Sequence, residues 1–106
     1  MLHVRSYWDE EDIDFYWEID DEGWTVRHVA IVRATGFVQG AASLDEWNAA
    51  REAGTLDAYI DRYGRVAEGN VNTWDPDWPH DEITAEAYEA VWRDARATLD
   101  ARHHDG

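Results

Sequence analysis

The chain contains no cysteine and no lysine, and all nine of its basic residues are arginine. Without cysteine there can be no disulfide bond, thiol nucleophile or cysteine-ligated metal centre. Without lysine there can be no Schiff-base chemistry. No run of apolar residues approaches the length of about 18 that a membrane span requires. The first eight residues also lack the basic-then-apolar pattern of a signal peptide. We therefore expect a cytoplasmic protein with no membrane partner.

Basic residues are scarce overall, because 24 acidic residues face nine basic ones and give a net charge of −15 over 106 residues. A protein that binds nucleic acid by neutralising phosphates needs clustered arginine and lysine, so this class is excluded. Seven tryptophans and five tyrosines argue against a disordered acidic chain. The length predicts a single domain over residues 1–101, followed by a frayed tail over 102–106.

The first third of the chain has the pattern of β-strands. Residues 13–19 alternate between an apolar and a polar face, which predicts a half-buried strand. A turn at 20–23 and a β-branched stretch at 24–35 complete a hairpin. The alternation in the second arm is broken, which predicts a bulge near His28. Shorter strands are predicted at 2–8 and 37–42, with a short edge strand within 65–72.

Three helices are predicted after the strands, each beginning at a serine or threonine N-cap and two ending at a glycine. They cover 44–53 between Ser43 and Gly54, 56–63 between Thr55 and Gly64, and 85–101 after Thr84. The expected fold class is α+β, with an N-terminal antiparallel sheet of about four strands and C-terminal helices packed on one face.

Two segments carry a resemblance. EIDDEGWTVRHV (18–29) and EITAEAYEAVW (82–92) resemble a family of small acidic bacterial α+β proteins of no assigned function. The resemblance implies the same fold class and a bacterial origin, and it implies no activity. By analogy alone, small acidic proteins of this build are similar to immunity proteins and antitoxins, which bind basic toxins.

Acidic residues are concentrated at two places. Residues 1–23 contain nine acids and one base, and residues 71–90 contain six acids and no base. A surface of this kind steers a basic protein partner, although it also serves simple solubility. We predict that the partner-binding residues of the first place are Asp9, Glu10, Glu11 and Asp12. Their spacing is not that of a calcium-binding loop, so neither a metal site nor a cofactor is predicted.

The second acidic place is a proline-punctuated loop. Two indoles flank two carboxylates there, and such a group suits an arginine or lysine from a partner. The alternative is that the loop folds its own indoles over the core. The predicted partner-binding residues of this loop are Trp74, Asp75, Asp77 and Trp78.

Acid–base chemistry is the remaining catalytic possibility. His28 lies in the middle of a predicted strand, and Glu18 on the facing arm is expected to approach it. The alternative is a histidine hydrogen-bonded within the sheet.

The sequence therefore supports two hypotheses about function. The first is an acidic protein-binding module that masks a basic partner such as a toxin, as an immunity protein or antitoxin does. The second is a small isomerase, cyclase or hydrolase that uses His28 and Glu18 in a pocket lined by tryptophan and tyrosine. The oligomeric state stays open.

Overall fold

The computed structural model describes residues 1–66, 70–73, 77 and 79–104, with side chains up to residue 102. The fold is α+β, with three helices and one antiparallel sheet of five strands. The strands are β1 (Leu2–Trp8), β2 (Ile13–Ile19), β3 (Thr25–Val32), β4 (Val38–Ser43) and β5 (Asp81–Glu82). The helices are α1 (Leu44–Ala53), α2 (Leu56–Tyr63) and α3 (Ala85–His104), and a 3₁₀ turn covers Val71–Thr73.

The strand order is β4-β3-β2-β1-β5, so the first four strands form a meander and β5 joins its far edge. The predicted N-terminal sheet is confirmed. The prediction missed β5, because two residues are too few to show a periodicity. The edge strand predicted within 65–72 is represented among the described residues by one bridge, between Asn70 and Trp24. Residues 67–69 of that prediction lie outside the described part of the chain.

A bulge in β3 sets which side chains face the helices. The register passes from Glu18 opposite Arg27 to Ile19 opposite Thr25, so Val26 is the extra residue. The predicted bulge near His28 therefore lies two residues earlier in the chain. Because a bulge changes the alternation of the strand that contains it, Thr25 and Arg27 point to opposite faces of the sheet.

The helix boundaries follow from their caps. The Ser43 hydroxyl accepts an N–H of the first turn of α1, and Gly54 ends that helix with φ 75°. The Thr84 hydroxyl likewise accepts an N–H at the start of α3. Thr55 makes no side-chain capping bond to α2. α3 continues to His104, three residues beyond its predicted end at 101, so the tail predicted for 102–106 is helical at its start.

The three helices lie against one face of the sheet. The core between them consists of Val29, Val38, Ala41, Ala95 and Leu99. Among the described residues, no helix is both long enough and apolar enough to cross a lipid bilayer.

Described residues between α2 and β5 contact the opposite face. They extend from Arg65, whose carbonyl lies near His28, to Pro79, whose carbonyl accepts the Ser6 hydroxyl at 2.7 Å. The sheet is therefore packed against helices on one side and contacted by described residues of an irregular segment on the other.

The crossing from one face to the other requires a glycine. A Cβ on Gly40 would lie 2.9 Å from the Tyr63 carbonyl oxygen, where the chain passes the edge of β4. We expect Gly40→Ala to lower the free energy of unfolding by about 1–3 kcal/mol, because a main-chain atom must move. Urea denaturation measures this loss. Gln39→Ala, at an exposed neighbour in the same strand, is the control and should change little. Equal stability of both variants would contradict the predicted clash.

Candidate functional site

The helix-covered face of the sheet contains an ion network centred on Glu18 and Arg27, which lie directly opposite each other on β2 and β3. Arg27 donates from Nε and Nη2 to the two carboxylate oxygens of Glu18, each at 2.8 Å. His3 Nε2 lies 2.8 Å from Glu18 Oε2. Arg27 also pairs with Glu89 of α3. The network therefore joins three strands to the last helix.

The electrostatics of this network follow from its burial. The side chains of Glu18 and Arg27 are 13% and 17% exposed. Hydrogen bonding from Arg27 lowers the pKa of Glu18, and the same bonds raise the pKa of Arg27. The Arg27 guanidinium lies over the ring of Tyr88, and burial raises the pKa of the Tyr88 hydroxyl. Glu18 is accordingly an ionised carboxylate whose acceptor oxygens are engaged, which suits structural bracing better than proton abstraction.

The predicted pair of Glu18 and His28 does not form. His28 is opposite Trp17, whereas Glu18 is opposite Arg27, one position along the same two strands. Since successive strand residues point to opposite faces, Glu18 faces the helices and His28 faces the irregular segment. A direct proton transfer between them is excluded by this geometry.

His28 is part of an aromatic row on the second face. Its ring stacks on Phe15 and Trp17, with centroids 5.5 and 6.0 Å away. Its Nδ1 lies 3.4 Å from the Arg65 carbonyl oxygen. Its Nε2 is buried and makes no hydrogen bond to the residues that the structure describes. Burial lowers the pKa of this imidazole. The surroundings are those of a neutral histidine packed within a core.

The turn between β1 and β2 presents three of the four predicted acidic residues to solvent. Asp9, Glu10 and Glu11 are exposed and have no hydrogen bond or ion pair within the described ranges. Asp12 differs, because it accepts the Tyr7 hydroxyl at 2.5 Å and the Ala34 N–H at 2.9 Å. The bond from Tyr7 lowers the pKa of Asp12. Asp12 therefore fixes the turn, and the prediction that it also contacts a partner stays a prediction.

Exposed tryptophans next to acidic turns were missed in the sequence. Trp8 is 43% exposed beside Asp9, and Trp24 is 47% exposed beside the turn at 20–23. The sequence predicts both within strands, and the signal that identifies them is their position at strand ends, where neighbouring side chains cover less of the ring. In the predicted 74–78 loop, Asp77 is exposed, while Trp74, Asp75 and Trp78 lie outside the described residues.

More than half of the arginines contact rings of the same chain, and two of them, Arg27 and Arg96, have largely buried side chains. Five of the nine lie over aromatic rings, with the guanidinium carbon 3.6–5.2 Å from a ring centroid: Arg27, Arg33, Arg62, Arg96 and Arg102. The first four of these also pair with carboxylates. By contrast, exposed carboxylates without an ion-pair partner in the described chain include Asp9, Glu10, Glu11, Glu52, Asp61, Asp81, Glu82, Glu86 and Asp94. The fold thus engages part of its positive charge in contacts with its own rings and carboxylates and leaves an excess of negative charge at the surface.

Comparison with protein families, with curated proteins and with solved structures finds no match for this chain. The resemblance carried by residues 18–29 and 82–92 stays a prediction. The function must accordingly be argued from the residues themselves.

The Glu18–Arg27 pair generates a stability prediction. Arg27→Met leaves the buried Glu18 carboxylate without its main partner and should cost about 3 kcal/mol of unfolding free energy. Arg27→Met combined with Glu18→Gln should cost less than Arg27→Met alone, because the stranded charge is then removed as well. Urea denaturation of the single and double variants at neutral pH measures both. Costs that simply add would contradict the coupling.

The same pair has a defined pH dependence. Because the folded pKa of Glu18 lies below the ordinary value of 4.5, the contribution of the Glu18–Arg27 pair to the free energy of unfolding is fully present above pH 4.5. It is lost as the pH falls through the lowered folded pKa. The difference in stability between the wild type and Arg27→Met should therefore narrow on acidification.

His28 generates a prediction in a higher pH range. The unfolded chain binds a proton near pH 6.5, which the folded imidazole, with its lowered pKa, binds only at lower pH. Stability should therefore fall below pH 6.5, by at most about 1.4 kcal/mol per pH unit, until the lowered pKa is reached. His28→Phe keeps a ring in the stack and removes the titration. Urea denaturation between pH 8 and pH 5 should show a shallower decline for His28→Phe, and parallel curves would contradict the assignment.

Proposed function

We propose that this protein is an acidic protein-binding module that masks a basic partner, in the manner of an immunity protein or antitoxin. The observation that carries the proposal is the separation of charge: Arg27 and Arg96 are paired and largely buried, while many carboxylates at the surface have no ion-pair partner in the described chain. Such a surface attracts a basic protein over long range and repels acidic ones. The module would act in the cytoplasm.

We place the contact at the acidic turn surface, defined as Trp8, Asp9, Glu10 and Glu11. An exposed indole beside carboxylates suits an arginine or lysine side chain, because the ring face and the carboxylates attract the same cation. Tryptophan is also among the residues that most often dominate the binding energy of protein interfaces.

The turn is held in shape before any partner binds. The Asp12 carboxylate accepts the Ala34 N–H at 2.9 Å, and the Asp12 carbonyl accepts the Arg33 N–H at 2.8 Å. Arg33 also donates to Asp14 and lies over the Tyr7 ring. These contacts join the β1–β2 turn to the β3–β4 turn. A preorganised surface loses less conformational entropy on binding, which favours affinity.

The alternative of a small acid–base enzyme depended on Glu18 approaching His28. Glu18 is bound by Arg27 and His3, and His28 lies on the other face of the sheet. The alternative therefore keeps a buried imidazole but loses the carboxylate that was to orient it.

The test compares two variants of equal net charge. One neutralises the turn, as Asp9→Asn, Glu10→Gln and Glu11→Gln. The matched control neutralises three exposed carboxylates on the helices, as Glu52→Gln, Asp61→Asn and Asp94→Asn. Each protein is immobilised, lysate of the source cells is passed over it, and retained proteins are quantified by mass spectrometry.

We expect a basic protein to be retained in equal molar amount by the wild type and the control, and to be lost from the turn variant. Trp8→Ala should also weaken retention, although it leaves the net charge of the protein unchanged, because it removes the exposed indole. Equal loss from both triple variants would mean that only the net charge attracts proteins, and it would overturn the proposed surface.

A further inference from the structure

The outer edge of the sheet at β5 is short, exposed and acidic. Asp81 and Glu82 are both exposed, and they pair with Arg5 and Val4 of β1. Beyond β5, no further strand is present in the described part of the chain. An edge strand presents main-chain N–H and C=O groups that can pair with another extended chain.

The register shows which groups are available. Ile83 N–H donates to the His3 carbonyl at 2.8 Å, next to the pair of Val4 and Glu82. In an antiparallel pair, alternate residues direct both main-chain groups to the same neighbour. Ile83 and Asp81 therefore face β1, and the N–H and C=O of Glu82 between them face outward.

The side chains at this edge place a carboxylate on each face of the sheet. Asp81 is opposite Arg5, on the face that the helices cover, and Glu82 is opposite Val4, on the other face. Glu86 follows in the first turn of α3. The acidic turn surface begins at Trp8, three residues from Arg5 along β1, or about 10 Å at the usual strand rise. The edge and the turn surface are thus neighbours along β1, although the exposed Arg5 lies opposite Asp81.

We propose that the outer edge of β5 binds an extended basic segment of the partner by strand addition. This inference rests on the proposed function and specifies how the partner is bound. Main-chain hydrogen bonds to Glu82 align the segment. Carboxylates on both faces then select a segment with basic side chains on both of its faces. A second copy of this chain is disfavoured at the same edge, because like charges would lie opposite each other across the new pair.

The experiment uses three peptides of the same sequence and charge, each of about ten residues, the length of a long strand. Pairs of arginines alternate with pairs of threonines, so that each face of the extended peptide carries arginine. The first peptide is unmodified. The second is N-methylated at alternate residues, which leaves one edge able to pair. The third is N-methylated at consecutive central residues, which blocks both edges. Binding to the wild-type protein is measured by calorimetry.

Strand addition predicts similar affinity for the first two peptides and a loss of about tenfold for the third, which cannot form the main-chain bonds. Equal binding of all three would overturn strand addition and leave charge-driven binding, and hence the proposed function, intact. If none of the three peptides binds, strand addition at β5 is likewise overturned. Binding that is unaffected when Asp9, Glu10 and Glu11 are neutralised would instead contradict the proposed turn surface.

A variant of the protein tests the main-chain hydrogen bond that the Glu82 N–H is proposed to donate to the peptide. Glu82→Pro removes the outward N–H, and proline is tolerated on an edge strand when its nitrogen faces solvent. Glu82→Gln loses the same charge and keeps the N–H. We expect Glu82→Pro to bind the unmodified peptide several-fold more weakly than Glu82→Gln, and equal binding would count against the assigned direction of the Glu82 main chain. If Glu82→Pro does not fold, as judged by circular dichroism, the methylated peptides still decide the question on the wild type.

Discussion

The guanidinium of Arg27 lies where three parts of the chain meet, and the remaining structure is arranged around it. It pairs with Glu18 on the neighbouring strand and with Glu89 on α3, and it faces the rings of Tyr88 and Trp92. A planar guanidinium can donate to two carboxylates and stack on rings at the same time, which an ammonium group cannot do as well. This explains how a chain whose basic residues are all arginine can hold a polar face of its sheet against a helix.

The use of arginines within the fold separates the residues that stabilise the structure from those proposed to bind a partner. Arg96 repeats the arrangement nearby, because it lies between the rings of Tyr63 and Trp92 and pairs with Glu46. Arginines used in this way cannot neutralise the outer carboxylates. The residues of the acidic turn and of the β5 edge are then free to be acidic without weakening the core, since few of them take part in holding the fold together.

Local patterns predicted much of the fold. The N-cap of Ser43 and the stop at Gly54 bound α1 as expected, and the alternation at 13–19 marks β2. The site was less predictable, because it depends on pairing between distant residues. The bulge at Val26 determines that Arg27 rather than Val26 is opposite Glu18, and β5 depends on contact with β1 across more than 70 residues of chain. The broken alternation of the second arm indicates a bulge but does not fix its position, and β5 has no signal in the sequence nearby.

The separation of charge has a consequence for how the molecule responds to ionic strength. Added salt screens repulsion among exposed carboxylates, while the pairs beneath α3 are shielded from it by burial. The folded protein should therefore become more stable in concentrated salt, under the conditions in which a complex held by its acidic surface dissociates. If the proposed basic partner is bound at this surface, the protein would survive its release undamaged, so that the same molecule could bind repeatedly.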